Sequence, residues 1–292
     1  MDSASRIERA LNQAMSGGSG ETCPAKLLAA ARYAVFPGGA RIRPKLCLAV
    51  ARACGDETLR FAAAAGAAIE LLHCASLVHD DLPCFDNAKL RRGRPAVHRA
   101  FGEPMAVLTG DALIVMAFES VARVREMPAR RLQGLMLVLA RASGMPNGIV
   151  AGQAWEGEPH IPLPDYQRAK TGALFAAATS AGAIAAGANG GPWHGLGEKI
   201  GEAYQIADDI RDVSESSEAL GKDVGRDAAL GRPNAVQALG IGGAIARLED
   251  LMGSALARIP ECVGAADLRA HIMSEAARLL PAKLARPMRV VA

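Results

Sequence analysis

Glu70-Leu71-Leu72-His73-Cys74-Ala75-Ser76-Leu77-Val78-His79-Asp80-Asp81-Leu82-Pro83-Cys84-Phe85-Asp86 is an apolar helical run that ends in three aspartates. A second cluster, Asp208-Asp209-Ile210-Arg211-Asp212, lies far downstream in another largely apolar stretch. Either cluster alone reads more readily as a helix end followed by a polar loop. The two together, with Arg91, Arg92 and Lys222 close by in the chain, point to a site where several Mg²⁺ ions hold a diphosphate. Mg²⁺ prefers a few carboxylates combined with phosphate oxygens and water.

Helical geometry sorts these carboxylates. Asp208 and Asp212 are four apart and share one face, while Asp209 points about 100° away. Like charges so placed cost roughly 0.2–0.5 kcal/mol in a bare helix, which calls for a compensating cation. Asp80 and Asp86, six apart, would lie on different faces of an unbroken helix. Pro83 disfavours helical geometry at Leu82 and breaks the ladder, so the chain can fold back and bring Asp86 towards Asp80. Arg91-Arg92-Gly93-Arg94 follows, with guanidinium forks suited to diphosphate oxygens, and Lys222 follows the second cluster. Gly38-Gly39-Ala40-Arg41-Ile42-Arg43-Pro44 adds two more arginines after a flexible turn. Each basic run alone reads as solvated surface.

Around the clusters the pattern is helix after helix. Apolar residues recur at three- and four-residue spacing over 22–34, 40–53, 57–79, 104–126, 128–142, 164–187, 195–213, 234–257 and 265–281. No strand pattern competes, and breaks fall at Gly/Pro clusters such as Pro37-Gly38-Gly39 and Asn189-Gly190-Gly191-Pro192. The one linker-like run, Ser16 to Gly20, sets an N-terminal helix apart, so 1–22 reads as an extension of a single all-α domain spanning 1–292. Ala173 to Ala188, the longest low-polarity segment, falls short of the roughly 20 strongly apolar residues a membrane span needs and reads as a buried helix.

Composition agrees with this class. Half of the 292 residues are hydrophobic, enough for a sizeable core, and disorder is excluded. The net charge of +3 and the 4% aromatic content offer no basic stripe interleaved with aromatics, so nucleic acid is not an expected partner. Six cysteines form no CxxC pair and no signal peptide opens the chain; reduced thiols and a cytoplasmic protein are expected, and zinc is not indicated. His79 is expected to be a hydrogen-bonding helix residue, because Mg²⁺ prefers oxygen ligands.

From about residue 25 to 280 the chain resembles the trans-prenyl diphosphate synthases, most closely the bacterial geranylgeranyl diphosphate synthases of carotenoid and photosynthetic pigment pathways. The matching motifs are Gly38-Gly39 to Arg43-Pro44, His79-Asp80-Asp81-Leu82-Pro83, Leu90-Arg91-Arg92-Gly93, Gly110-Asp111-Ala112-Leu113, Gly152-Gln153, Lys170-Thr171-Gly172-Ala173-Leu174 and Gln205-Ile206-Ala207-Asp208-Asp209. The resemblance implies an isoprenoid-synthase bundle of about ten core helices around a deep central cavity, and a homodimer. It implies that Asp80, Asp86, Asp208 and Asp212 are ligands of three Mg²⁺ ions, with Asp81 and Asp209 in the same catalytic clusters. Arg91, Lys170 and Lys222 then hold the allylic diphosphate, and Arg43, His73 and Arg92 hold isopentenyl diphosphate. Thr171 and Gln205 line the carbocation.

The chemistry asks for these types. Breaking an allylic C–O bond leaves a diphosphate and a delocalised cation, so negative charge must be neutralised and water kept away from the cation. Three departures from the family stand out. Ala40 replaces a lysine in the motif that grips isopentenyl diphosphate, which weakens binding unless Arg41 or Lys45 substitutes; Gly231-Arg232-Pro233-Asn234-Ala235-Val236 is a variant of the pigment-pathway branch; and Glu156 stands where Asp is usual. Ala75 and Ser76 occupy positions near the first aspartate, of which the fifth before it is bulky and aromatic in many farnesyl-producing relatives. On a helix over 57–79, the next residues deeper on that face are Leu71 and Leu72, about 5.4 Å further, so a twenty-carbon product is expected with one of them at the floor. The alternatives are a farnesyl diphosphate synthase and a non-catalytic partner subunit of another prenyl synthase; such a subunit usually loses an aspartate cluster, and both are present here.

Overall fold

Helix after helix follows, as the spacing predicts. In a computed structural model that describes residues 2–17, 22–36, 39–214 and 234–278, the chain forms α1 (Ser3–Gly17), α2 (Ala25–Val35), α3 (Ile42–Ala53) and α4 (Arg60–Asp80). A short ladder, β1 (Leu90–Arg91) with β2 (Arg94–Pro95), leads to α5 (Val97–Phe101), α6 (Glu103–Ala122), α7 (Ala129–Ser143) and α8 (Ile149–Ala154). Then come α9 (Leu163–Gln167), a π-helical turn (Arg168–Gly172), α10 (Ala173–Ala186), α11 (Gly191–Ser214), α12 (Ala235–Ala257) and α13 (Ala265–Ala277). Lys222 lies outside the described residues.

Helix α4 is the axis. From Ala62 to Leu72 it is buried almost all round, which an amphipathic surface helix would not be. Its neighbours are α1, α3, α6 and α10. Small side chains make this close assembly workable. A Cβ on Gly182 of α10 would sit 2.4 Å from the Cys47 carbonyl oxygen and 3.0 Å from Val50 Cβ, so only glycine lets α10 approach α3 this closely.

The N-terminal helix is more than the expected extension. Ile7, Leu11 and Met15, spaced four apart, form one stripe fully buried in the main core. At about 1.5–3 kcal/mol for each such side chain, this stripe docks α1 firmly on the body. Two further differences concern local structure. The stretch expected as one helix over 164–187 is broken by the π-helical turn, and a two-stranded ladder appears where no strand was expected.

The alanine-rich segment read as a buried helix is one: α10 is buried along nearly its whole length. Among the described residues, the helices long and apolar enough to cross a membrane are instead α4 and α6, whose apolar windows are 72% and 33% buried. Burial in the core accounts for α4. On α6, Leu108 and Val115 remain exposed.

The Gly182→Ala variant should lose about 1–3 kcal/mol of stability through overpacking, read as a lower midpoint in urea unfolding; an unchanged midpoint would mean that α10 and α3 can separate freely.

Candidate functional site

Pro83 does what its position predicts. Helix α4 ends at Asp80, and the following turn returns the Asp86 amide to the Asp80 carbonyl oxygen at 2.9 Å. The two carboxylates thereby meet, and Glu156 joins them: one ligand oxygen from each of Asp80, Asp86 and Glu156 lies within 4.8 Å of the other two. Sequence reasoning noted Glu156 only as a departure. Its signal was a carboxylate three residues after Gln153, in the 3₁₀ turn Trp155–Gly157 that continues α8, which packs against the π-helical turn.

Lys170 compensates this cluster. It pairs with Glu156 and lies 3.3 Å from Asp80 Oδ1, while Tyr166 donates to Glu156 Oε1 at 2.7 Å and Gln153 donates to Oε2 at 3.0 Å. The π-helical turn that carries Lys170 and Thr171 sits directly on α8. A Cβ on Gly152 would fall 2.4 Å from the Lys170 amide nitrogen, so glycine there lets the two segments touch. Insertions of this kind recur at functional sites because they re-aim side chains without ending the helix.

The two arginines of the first basic run part company at a tight turn. Arg91 and Arg94 are paired across the ladder, with Arg92 and Gly93 between them at φ 53° and 73°, the signature of a two-residue hairpin turn. Arg91 donates to both oxygens of Asp81, the shortest contact being 2.5 Å, and stands 3.8 Å from Asp80. Arg92 turns the other way and lies over Gly39, 3.3 Å from where a Cβ would sit. Asp81, 2% exposed, faces Arg91 and does not line the cavity.

In the second cluster Asp208 lines the cavity, paired with Arg211 at 2.8 Å, and Asp212 is half-buried one turn further along α11. Asp209 points away, as its 100° offset predicts. Its Oδ2 accepts from the Ala235 amide at 2.7 Å and its Oδ1 from Gln205 Nε2 at 3.1 Å. It thus caps α12 together with Asn234, where a negative charge favours the helix N-terminus. The Thr171 hydroxyl donates to Gln205 Oε1 at 2.8 Å, so Thr171, Gln205, Asp209 and Ala235 form one hydrogen-bonded chain.

Several of these groups border a cavity of about 760 Å³. Asp80, Asp208 and Lys170 line it on one side and Arg43, His73 and Arg92 on the other, with Leu72, Ala75, Ser76, Ile114 and Leu174 as its apolar wall. Leu72 therefore faces the cavity and Leu71 does not: Leu71, 100° round the helix, is fully buried in the core. Ile114 of α6 shares the wall, a contribution no spacing argument on α4 could reveal.

Charge placement is costly here. Burial, with the carboxylates of Asp86 and Glu156, raises the pKa of Asp80 against the pull of Lys170 and Arg91. Burial, then the Arg43 and Arg92 charges, holds the His73 pKa well below the usual histidine range, so its imidazole is neutral at pH 7. Arg43 is 9% exposed, stacks 4.5 Å from the Phe175 ring centroid, and its Nε has no hydrogen-bond partner among the described residues. A buried guanidinium in that state is a ready anion site. The oxygen-only set of Asp80, Asp86 and Glu156 likewise suits a hard divalent cation.

A helical cavity with carboxylates on one wall and arginines on the other defines an enzyme that handles diphosphates. The chain belongs to the polyprenyl synthetase family, which it matches over residues 24–264, and its chemistry is prenyl transfer. It is 55% identical to the geranylgeranyl diphosphate synthase of Cereibacter sphaeroides, over 96% of this chain and 97% of that one. The enzyme of the same name from Rhodobacter capsulatus is 50% identical over 94% and 95%. Among solved structures, the geranyltransferase of Helicobacter pylori complexed with magnesium and isoprenyl diphosphate superimposes with a TM-score of 0.78 at 28% identity, covering 94% of this chain and 97% of that one.

The separate surroundings of the neighbouring aspartates should be visible in variants. Asp81→Asn should cost about 3 kcal/mol of stability, measured by urea unfolding, because it leaves Arg91 without its carboxylate. Asp86→Asn should leave stability nearly intact and weaken Mg²⁺ binding in calorimetry. In the wild type that binding should fade with falling pH sooner than for an exposed carboxylate, because Asp80 must be deprotonated and its pKa is raised.

Proposed function

We propose that this protein is a geranylgeranyl diphosphate synthase, joining isopentenyl diphosphate head to tail with an allylic prenyl diphosphate to give a twenty-carbon product. One observation carries the reading: a single cavity brings a carboxylate wall, an arginine wall and an apolar wall together. The chain, read as one working domain over 1–292, then has a place for each reactant and for the growing hydrocarbon. A cytoplasmic location with reduced thiols agrees with six unpaired cysteines, and delivery of the product to pigment synthesis follows from the resemblance to the pigment-pathway branch.

On this reading Asp80 and Asp86, with Glu156 beside them, and Asp208 with Asp212 would hold up to three Mg²⁺ ions. Bound Mg²⁺ neutralises the charge that develops on the leaving diphosphate. Lys170 and Arg91 orient the allylic diphosphate, as does Lys222, which lies outside the described residues. Arg43, Arg92 and neutral His73 hold isopentenyl diphosphate with its double bond towards the allylic carbon. Thr171 and Gln205 place lone pairs near the cation, and the Thr171 to Asp209 chain fixes their direction. Leu72, Ala75, Ile114 and Leu174 exclude water, which would quench the cation. The new carbon–carbon bond forms, a proton leaves to the departed diphosphate, and the allylic double bond is restored.

Product length rests on Ala75. Its methyl leaves the wall open down to Leu72, a full turn beyond, which favours twenty carbons over the fifteen of the farnesyl alternative. Retention of both aspartate clusters disfavours the partner-subunit reading. The exposed apolar side chains Leu108 and Val115 of α6 and Leu137 of α7 support a homodimer.

Incubation with Mg²⁺, labelled isopentenyl diphosphate and each allylic starter should yield mainly geranylgeraniol after dephosphorylation. Mostly farnesol would overturn the size argument, and no product would revive the partner-subunit reading. Ala75→Phe should shorten the product. His73→Gln, which keeps a neutral donor, should hold KM for isopentenyl diphosphate within about threefold, whereas His73→Leu should raise it about tenfold; equal effects would remove the imidazole N–H from the site.

A further inference from the structure

One wall of the cavity is short of a cation. Ala40 stands where the family carries lysine, and the two neighbours expected to compensate are engaged elsewhere. Arg41, held at φ 54° and 7% exposed, donates to Glu8 Oε1 at 2.9 Å, Glu70 Oε1 at 2.8 Å and the Val35 carbonyl oxygen at 2.9 Å. Lys45 lines a separate small cleft against α13, beside His271 and Glu275. The family substitution thus has no answer in its own loop.

Arg211 supplies one from another helix. It follows Tyr204 by seven residues and Asp208 by three, so all three lie on adjoining parts of one α11 face. Its guanidinium carbon is 5.7 Å from the Tyr204 ring centroid, and that of Arg43 is 5.9 Å from the same ring. Arg211 and Arg43 both line the cavity, as does Ala40. Two guanidiniums that border one aromatic ring and line one cavity offer their forks to a common anion. The buried, unpartnered Arg43 Nε points independently to such an anion. Arg211 Nε donates to the Ala207 carbonyl oxygen at 3.4 Å and one terminal nitrogen to Asp208 at 2.8 Å, and a guanidinium carries five N–H donors in a fork, so it can bridge a carboxylate and a phosphate.

We propose that Arg211 is a substrate-binding residue which, with Arg43, holds the diphosphate of isopentenyl diphosphate in place of the lysine absent at position 40. This rests on the synthase reading above. Its bond to Asp208 also places one carboxylate between the two diphosphates, so the guanidinium is oriented before the second substrate enters.

The test is calorimetric titration of the purified full chain with isopentenyl diphosphate, without allylic substrate, alongside KM for each substrate. Arg211→Leu should weaken isopentenyl diphosphate binding about tenfold and raise its KM similarly, with the allylic KM little changed. Arg211→Gln, which keeps a donor for Asp208, should lose as much and guards against a folding defect in the Leu variant. Ala40→Lys placed in the Arg211→Leu background should recover binding to within about threefold of wild type, because the charge returns to where the family has it. Unchanged affinity in both Arg211 variants overturns the proposal, as does a loss confined to the allylic KM or one that Ala40→Lys fails to recover. A wild-type protein that binds allylic diphosphate but no isopentenyl diphosphate overturns the synthase reading itself; one that binds both, with variants that also bind both, overturns only the role of Arg211.

Discussion

Three carboxylates, Asp80 on the cavity wall with Asp86 and Glu156 beside it, hold their oxygens within 4.8 Å of one another, and the rest of the site is arranged around that repulsion. In a medium poorer in water than bulk solvent, such a cluster is stable only with positive charge close at hand. Among the described residues Lys170 supplies most of that charge, with Arg91 3.8 Å from Asp80. Lys170 reaches Asp80 and Glu156 because the π-helical turn delivers it there and because Gly152 lets α8 touch the turn's backbone. Burial, with the neighbouring carboxylates, still holds the Asp80 pKa above the usual carboxylate range. An ion binding here would lower the energy of groups already in place, with little rearrangement of the chain.

The arginines are handled by the opposite device. Instead of crowding together, most are assigned partners that fix their direction: Arg41 to Glu8 and Glu70, Arg91 to Asp81, Arg211 to Asp208. Helix α1 takes part through Glu8, so its buried Ile7-Leu11-Met15 stripe steadies the loop that presents Arg43 as well as the core. Arg43 differs, having an aromatic face in place of a carboxylate. That support carries no formal charge, which leaves its own charge for an incoming anion.

Much of this was legible in the sequence for a plain reason: helix periodicity and proline act locally. The break at Pro83, the meeting of Asp80 and Asp86, the outward turn of Asp209 and the cavity-facing position of Ala75 follow from angles along a few residues. Other features depend on tertiary contact and could not be read that way. Leu71 and Leu72 are equally apolar, and only the packing of α4 decides which of them meets the cavity. Glu156 is far from the aspartates in the chain and joins them through the contact of α8 with the π-helical turn. That turn itself is hidden in the sequence, because one extra residue in a helix leaves the apolar spacing almost unchanged. The hairpin was missed since strands of two residues are too short to show alternation.

That hairpin has a wider meaning. Arg91 and Arg92 are consecutive, about 3.8 Å apart at their Cα atoms, yet one serves the carboxylate wall and the other leans over Gly39 on the opposite side. The covalent geometry of a two-residue turn therefore acts as a ruler between the two diphosphates proposed for this cavity. Lengthening either arginine's neighbourhood by one residue would exchange inward and outward directions along the ladder. On that proposal, separation of the reactants is written into the backbone of the turn and does not depend on the side chains of either wall.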